Sequence, residues 1–278
     1  MSKKITLVLY IVITSAPILA GLIYALLYSF GLIGILSKGF TLRYWKTLFS
    51  SDAALCMGYT LLLTMASIIL ILAISLILSY QLSKRPKSFL HKVLFIPLTM
   101  PPLIMAFAVF YWMSPGGIIS RFLNQLGILE EIESFPRLVN DFWGVGIIIT
   151  HVLLIAPLFT LLFTNQVKKE KLMDMADISY TLGGDATQFF RKIFIPVVLK
   201  RSKHLIVLYT IFLMGTYEAP LLLGRSTPRV LTIFITEKLS RYNLDDIPVA
   251  YALTSFYSVA IMITVQIFLT RSKNRSWA

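Results

Sequence analysis

The sequence predicts an all-α membrane protein with six transmembrane helices, and three observations carry that prediction. Of its 278 residues 57% are hydrophobic and only 14% charged, with a mean hydropathy of +0.78. That profile belongs to a polytopic membrane chain and not to a soluble domain. Six apolar runs reach the roughly 20 residues that a helix needs to cross a hydrocarbon core about 30 Å thick. The charges between those runs, finally, are sorted by face.

The runs are residues 5–30, 57–82, 93–113, 142–164, 204–224 and 249–270. Each must be helical, because lipid offers no partner to an open strand edge. The first follows Met-Ser-Lys-Lys as a signal peptide would. It is far longer than a signal h-region, and no small-residue cleavage site ends it, so it reads as a retained anchor. Cys56 stands at the edge of the second run and is the one cysteine, which excludes an internal disulfide. Pro97, Pro101 and Pro102 interrupt the third and shape its helix. The fourth contains His151, read as a hydrogen-bonded interhelix residue. The fifth contains Glu218, the single acid placed within a span, beside Tyr217 and just before Pro220. The whole of 1–278 reads as one transmembrane domain.

Orientation follows from the connecting segments. Lys3, Lys4, Lys84, Arg85, Lys87, Lys92, Lys168, Lys169, Lys171, Arg191, Lys192, Lys200, Arg201, Lys203, Arg271, Lys273 and Arg275 share one side with four acids, Glu170, Asp174, Asp177 and Asp185. The other side holds equal numbers of bases and acids. The positive-inside rule puts the basic side, and with it both termini, in the cytosol. The formal net charge of +13 is thereby explained by topology and calls for no nucleic acid. In the outer loops, 31–56 and 114–141, Tyr44, Trp45, Phe49 and Phe122 read as interfacial anchors at headgroup level. Glu130, Glu131 and Glu133 fit either a solvated loop or a docking surface for an extracytoplasmic protein.

The longest cytosolic segment, 165–203, carries the clearest local signals. Gly183-Gly184 separates two helix-prone pieces, since glycine tolerates the positive φ of a helix end. Asp185 is placed as an N-cap with Gln188 three positions on, a capping-box-like pair. Phe190, Ile193, Phe194 and Val197 then recur at helical spacing and define an apolar face, while Arg191 and Lys192 point elsewhere. Pro196 marks the bend into the next span. A helix, a sharp turn and a second helix at the membrane surface are expected.

Residues 177–196, DISYTLGGDATQFFRKIFIP, resemble the EAA loop of ATP-binding-cassette importer permeases. That loop has an acid, a glycine six residues later, and an aliphatic-x-aliphatic-Pro ending. Asp177, Gly183 and Ile193-Phe194-Ile195-Pro196 hold those places without insertion or deletion, and Thr181-Leu182-Gly183 and Phe190-Arg191-Lys192 are also typical. The opening departs from the pattern, with Asp177-Ile178-Ser179 standing for Glu-Ala-Ala. Residues 95–102, FIPLTMPP, resemble the proline-broken third span of these permeases. Residues 217–224, YEAPLLLG, resemble a phrase of the spermidine/putrescine, thiamine and iron branch.

The resemblance implies the type I importer (MetI-like) permease fold and a subunit that forms the translocation path for a small solute of polyamine, thiamine, ferric iron or phosphonate type. It implies a coupling helix in 165–203, with Asp177, Thr181, Leu182, Gly183, Gly184, Phe190, Arg191 and Pro196 at the contact with a cytosolic ATPase dimer. A second permease subunit (a copy or a different chain), an extracytoplasmic solute-binding protein and membrane lipid are the other implied partners. The chain carries no GxxxxGK[ST] loop, so ATP would be used by the partner, and no cofactor of its own is expected. His91, His151 and His204 are scattered without metal-ligand spacing, and no metal site is expected. Tyr217, Glu218 and Pro220 are assigned to the path, because an ionisable group at membrane depth is a functional candidate by default. Glu218 near the outer end of its span, paired with Arg225, is the other reading.

The competing class is a secondary transporter or channel independent of ATP. No inverted repeat is visible in the six runs, and one embedded acid is little for a proton relay. An intramembrane enzyme would need paired catalytic groups at membrane depth, and the runs contain no Asp. An exporter would carry no importer-type loop.

Overall fold

The computed structural model describes residues 3–35, 37, 39–85 and 89–274. Lys87 and Arg275, counted above among the inner-face bases, lie outside the described residues. Every regular element among the described residues is helical. In chain order they are α1 (Lys3–Ser29), α2 (Arg43–Lys46), α3 (Ser51–Lys84), α4 (Leu90–Val93), α5 (Phe95–Leu98), α6 (Pro102–Met113), α7 (Ile118–Gln125), α8 (Val145–Lys169), α9 (Leu172–Thr181), α10 (Ala186–Phe189), α11 (Ile195–Met214), α12 (Glu218–Leu223), α13 (Leu231–Ser240) and α14 (Asp246–Asn274).

Among the described residues five stretches are long and apolar enough to cross a membrane: Ile5–Ser29, Ser51–Lys84, Pro102–Gln125, Val145–Lys169 and Asp246–Phe268. The expected third run is indeed broken by its prolines. Pro97 lies in the single turn of α5, and Pro101 is extended, with ψ 145°, ahead of Pro102 at the start of α6. The expected fifth run, 204–224, is different. Its helix α11 begins earlier, takes in Lys200, Arg201 and Lys203, and stops at Met214. The chain then breaks at Gly215-Thr216, and residues 218–223 form the separate helix α12. Cations at one end and a break at the other leave no long uninterrupted apolar window there.

Contacts gather the chain into two compact units, Met1–Met57 with Leu231–Ala278, and Gly58–Val230. In the first unit α1 and α14 run against each other, with the Tyr28 and Tyr251 rings 4.6 Å apart. Trp45 stacks on Phe30 and its indole N–H donates to the Ser29 hydroxyl at 3.2 Å, which ties α2 back to the end of α1. Leu48, Cys56, Leu231, Phe234 and Leu253 form its buried cluster. Cys56 is thus a packed apolar side chain.

In the second unit α8 is the central element, touching α5, α6, α9, α11 and α12. Its buried Thr150, Thr160 and Thr164 return their hydroxyl protons to the carbonyls of Gly146, Ala156 and Thr160, so each of these three hydroxyls is satisfied within the helix. Phe159 and Phe163 on α8, Ile71 on α3, and Phe189 and Phe194 beyond the turn have no exposure and form the core. His151 is buried between Ser67 and Thr216, hydrogen-bonded to both.

Candidate functional site

The segment between α8 and α11 folds as a helix, a tight turn and a second helical piece. Helix α9 ends in a Schellman motif. The N–H of Gly184 donates to the Ser179 carbonyl at 2.9 Å and that of Gly183 to the Tyr180 carbonyl at 3.0 Å, with Gly183 at φ +81°. The two glycines are needed for separate reasons. Gly183 has open space around it but a left-handed backbone, whereas a Cβ on Gly184 would come within 2.9 Å of the Ser179 carbonyl oxygen. Asp185 then caps α10, its carboxylate accepting from the Gln188 N–H at 2.6 Å.

Beyond α10 the helix widens into a π turn over Phe190–Phe194 before continuing as α11. Pro196 is the second residue of α11, so the chain passes it without breaking. Proline cannot donate to the carbonyl four residues back and crowds it; a widened turn at that point accommodates both effects. The expected bend at Pro196 is therefore a π turn just before it.

The widened turn also changes which aromatics face inward. Phe189 and Phe194 are fully buried. Phe190 is half-buried, stacked on Phe194 at 5.3 Å and 5.1 Å from the Tyr80 ring of α3. The Lys84 ammonium lies 4.2 Å over the other participant, Tyr80. Phe190, expected at the contact with the ATPase, is stacked on rings of its own chain. The exposed apolar surface lies instead at the end of α9. Leu182 is 82% exposed, Ile178 60% and Met175 44%. They border an open groove of about 430 Å³ whose floor includes Ser179, Gly184 and Ile193. Asp177 and Arg191 are exposed, and the Thr181 hydroxyl is turned back onto the Ile178 carbonyl at 2.8 Å.

Leu182, Gly183 and Gly184 thus share one edge, with Asp177 and Thr181 exposed elsewhere on α9 and Phe190 and Pro196 beyond the turn. Met175 and Ile178 belong to the same edge and were missed. Their signal was the i, i+3, i+7 spacing of Met175, Ile178 and Leu182 along α9.

Tyr217, Glu218 and Pro220 lie apart from this edge, at the far end of α11, roughly 30 Å of helix away at 1.5 Å per residue. Glu218 is the exposed first residue of α12, while Pro220 is buried. The backbone groups around the break are satisfied locally, Leu221 N–H by Tyr217 and Gly224 N–H by Pro220, and the Leu223 carbonyl accepts from Asn140 N–H at 3.0 Å. Among the described residues no ion pair joins Glu218 to Arg225. Glu218 is therefore presented at a surface of the second unit.

The binding-protein-dependent transport system inner membrane component family matches residues 71–276, and the chain belongs to that family. It is similar to the probable transport system permease protein NifC of Clostridium pasteurianum, 24% identical over 175 residues, which are 63% of this chain and 56% of that protein. The chain thus spans little more than half of that relative's length. Among solved structures it is similar to a bacterial ABC transporter involved in the import of the acidic polysaccharide alginate. That match has a TM-score of 0.69 at 18% identity and covers 97% of this chain and 93% of the other. It is also similar to the bacterial alginate ABC transporter in complex with an alginate pentasaccharide-bound periplasmic protein, at TM-score 0.64 and 18% identity, covering 94% and 89%. At that identity the likeness concerns the fold.

Proposed function

We propose that this permease is a subunit of an ATP-driven importer whose energy arrives through the Gly183 turn. The supporting observation is a highly exposed leucine, Leu182, held on a stiff Schellman turn among Ile178, Met175 and the exposed charge of Asp177. A large apolar side chain left out of its own core beside a charge is the usual form of a docking anchor. The occupant is a separate cytosolic ATPase. Asp177 pairs there with a basic residue, Leu182 seats in an apolar pocket, and Arg191 contributes at the rim. The face bearing this turn is the cytosolic one, in keeping with the basic residues around it, and 1–278 acts as one six-span domain with both termini inside.

The path for the solute runs beside the break at Gly215–Glu218, with Glu218 and Tyr217 facing it and Pro220 shaping it. The solute is small, of polyamine, thiamine, ferric iron or phosphonate type, with a carboxylate at the path favouring a cation. An extracytoplasmic binding protein delivers it, and a second permease subunit completes the path. Co-purification from membranes tests the reading. Leu182→Asp should release the ATPase while the permease remains inserted, and an ATPase retained at wild-type level would overturn it.

A further inference from the structure

Helices α8 and α11 flank the docking turn in sequence, and a seam of polar and aromatic contacts joins them along their length. His151 meets Thr216, Phe159 meets Tyr209 with ring centroids 5.3 Å apart, Gln166 meets Ser202, and Glu170 meets Arg201. As the number climbs from His151 in α8 to Glu170 just past it, the partner number falls from Thr216, just past α11, to Arg201 within it, which is the register of two antiparallel helices. Polar fasteners close both ends of this seam. At the turn end Ser202 donates to the Gln166 side-chain oxygen at 2.7 Å, and Arg201 grips Glu170 through two nitrogens, at 3.0 and 3.2 Å. At the far end the Thr216 hydroxyl, which also donates to the Leu213 carbonyl at 2.9 Å, lies 3.2 Å from His151 Nε2, and the Ser67 hydroxyl lies 3.0 Å from Nδ1.

Between apolar faces in lipid, interhelix hydrogen bonds are among the few forces that hold a pair in one register, since hydrophobicity does not distinguish lipid from protein. We propose that α8 and α11 are a single strut, closed at one end by Gln166–Ser202 and at the other by His151–Thr216, which carries displacement of the docking turn to the Gly215–Glu218 break without internal slip. His151 and Ser202 are positioning residues in this scheme: they touch no solute and act by fixing the register of α11. The strut rests on the reading of the Gly183 turn as the point where the ATPase pulls.

Paired spin labels on Leu153→Cys in α8 and Phe212→Cys in α11, both at exposed positions, read the seam directly in a Cys56→Ser background. The permease is held in lipid nanodiscs, alone and with its ATPase, nucleotide-free and trapped with ATP and vanadate. The strut requires one narrow distance that stays the same in every state, and a second, longer population once Thr216→Val and Ser202→Ala are introduced together. A wild-type distance that changes on trapping overturns it, as does a double variant with the single wild-type distance. A third label on Thr187→Cys, an exposed position of α10 just beyond the turn, separates the underlying reading. If that label keeps its mobility when the ATPase is added, the docking turn is misassigned, while the seam is still judged from the permease alone.

Discussion

The N–H of Gly184 lies 2.9 Å from the carbonyl oxygen of Ser179, and the same carbonyl would sit 2.9 Å from any Cβ placed on Gly184. The bond that closes the turn is thus also the contact that forbids a side chain there. One residue earlier the constraint is of another kind, a backbone φ of +81° in open space. The two glycines answer differently to substitution.

At position 183 the penalty is conformational, about 1–2 kcal/mol for a residue with a Cβ in the left-handed region. Asn tolerates that region better than Ala, and a β-branched residue tolerates it worst. ATPase retention on co-purification should therefore fall in the order Gly183, Gly183→Asn, Gly183→Ala, Gly183→Val. At position 184 the penalty is steric, and Gly184→Asn should do no better than Gly184→Ala. Equal behaviour of Asn at both positions would show that the turn is not held as described.

Leu182 and Phe194 provide a contrast between surface and core. Phe194→Ala removes a fully buried ring packed on Tyr80, Phe189 and Phe190 and should cost about 3–5 kcal/mol, read as a large drop in thermal unfolding temperature in detergent. Leu182→Ala removes a side chain 82% exposed and should change stability by less than about 0.5 kcal/mol while weakening ATPase binding. The reverse ranking would place Leu182 inside the protein.

Asp185→Ala removes the acceptor of the Gln188 N–H and should cost about 1 kcal/mol of local stability. Faster hydrogen exchange confined to α10 and the π turn is the expected signature. Asp185→Asn and Asp185→Ser retain an acceptor and should restore most of the protection; exchange that ignores the side chain would remove Asp185 from the turn.

Glu218→Gln keeps the size of an exposed side chain and removes its charge. Assembly and basal ATP hydrolysis should persist, while uptake into vesicles, assayed with labelled putrescine, thiamine, ferric chelate and a phosphonate in turn, should fall at least several-fold for the solute that the wild type carries. Unchanged uptake would place Glu218 outside the path.

Much of this was legible in the residues. Long apolar runs can only be helices in lipid, and the prolines at 97, 101 and 102 announced a broken third element. Gly183-Gly184 and Asp185 carried the turn, because a left-handed cap and an N-cap are properties of single residues and their neighbours. Three features were not legible. The helix expected at 204–224 starts at Ile195 and stops at Met214, and along it Arg201 and Ser202 meet Glu170 and Gln166 while Thr216, just past its end, meets His151.

Which of Phe189, Phe190 and Phe194 turns inward depends on a π turn that no 3.6-residue count anticipates, and on a ring, Tyr80, more than a hundred positions away. The freedom of Leu182 appears only once the core has filled without it. Hydropathy, charge and turn chemistry are local quantities, so the chain alone settled its helical class, most of its long apolar helices and its tightest turn. Register, and the division of apolar side chains between inside and outside, are set by contacts between distant segments, and these only the folded arrangement decided.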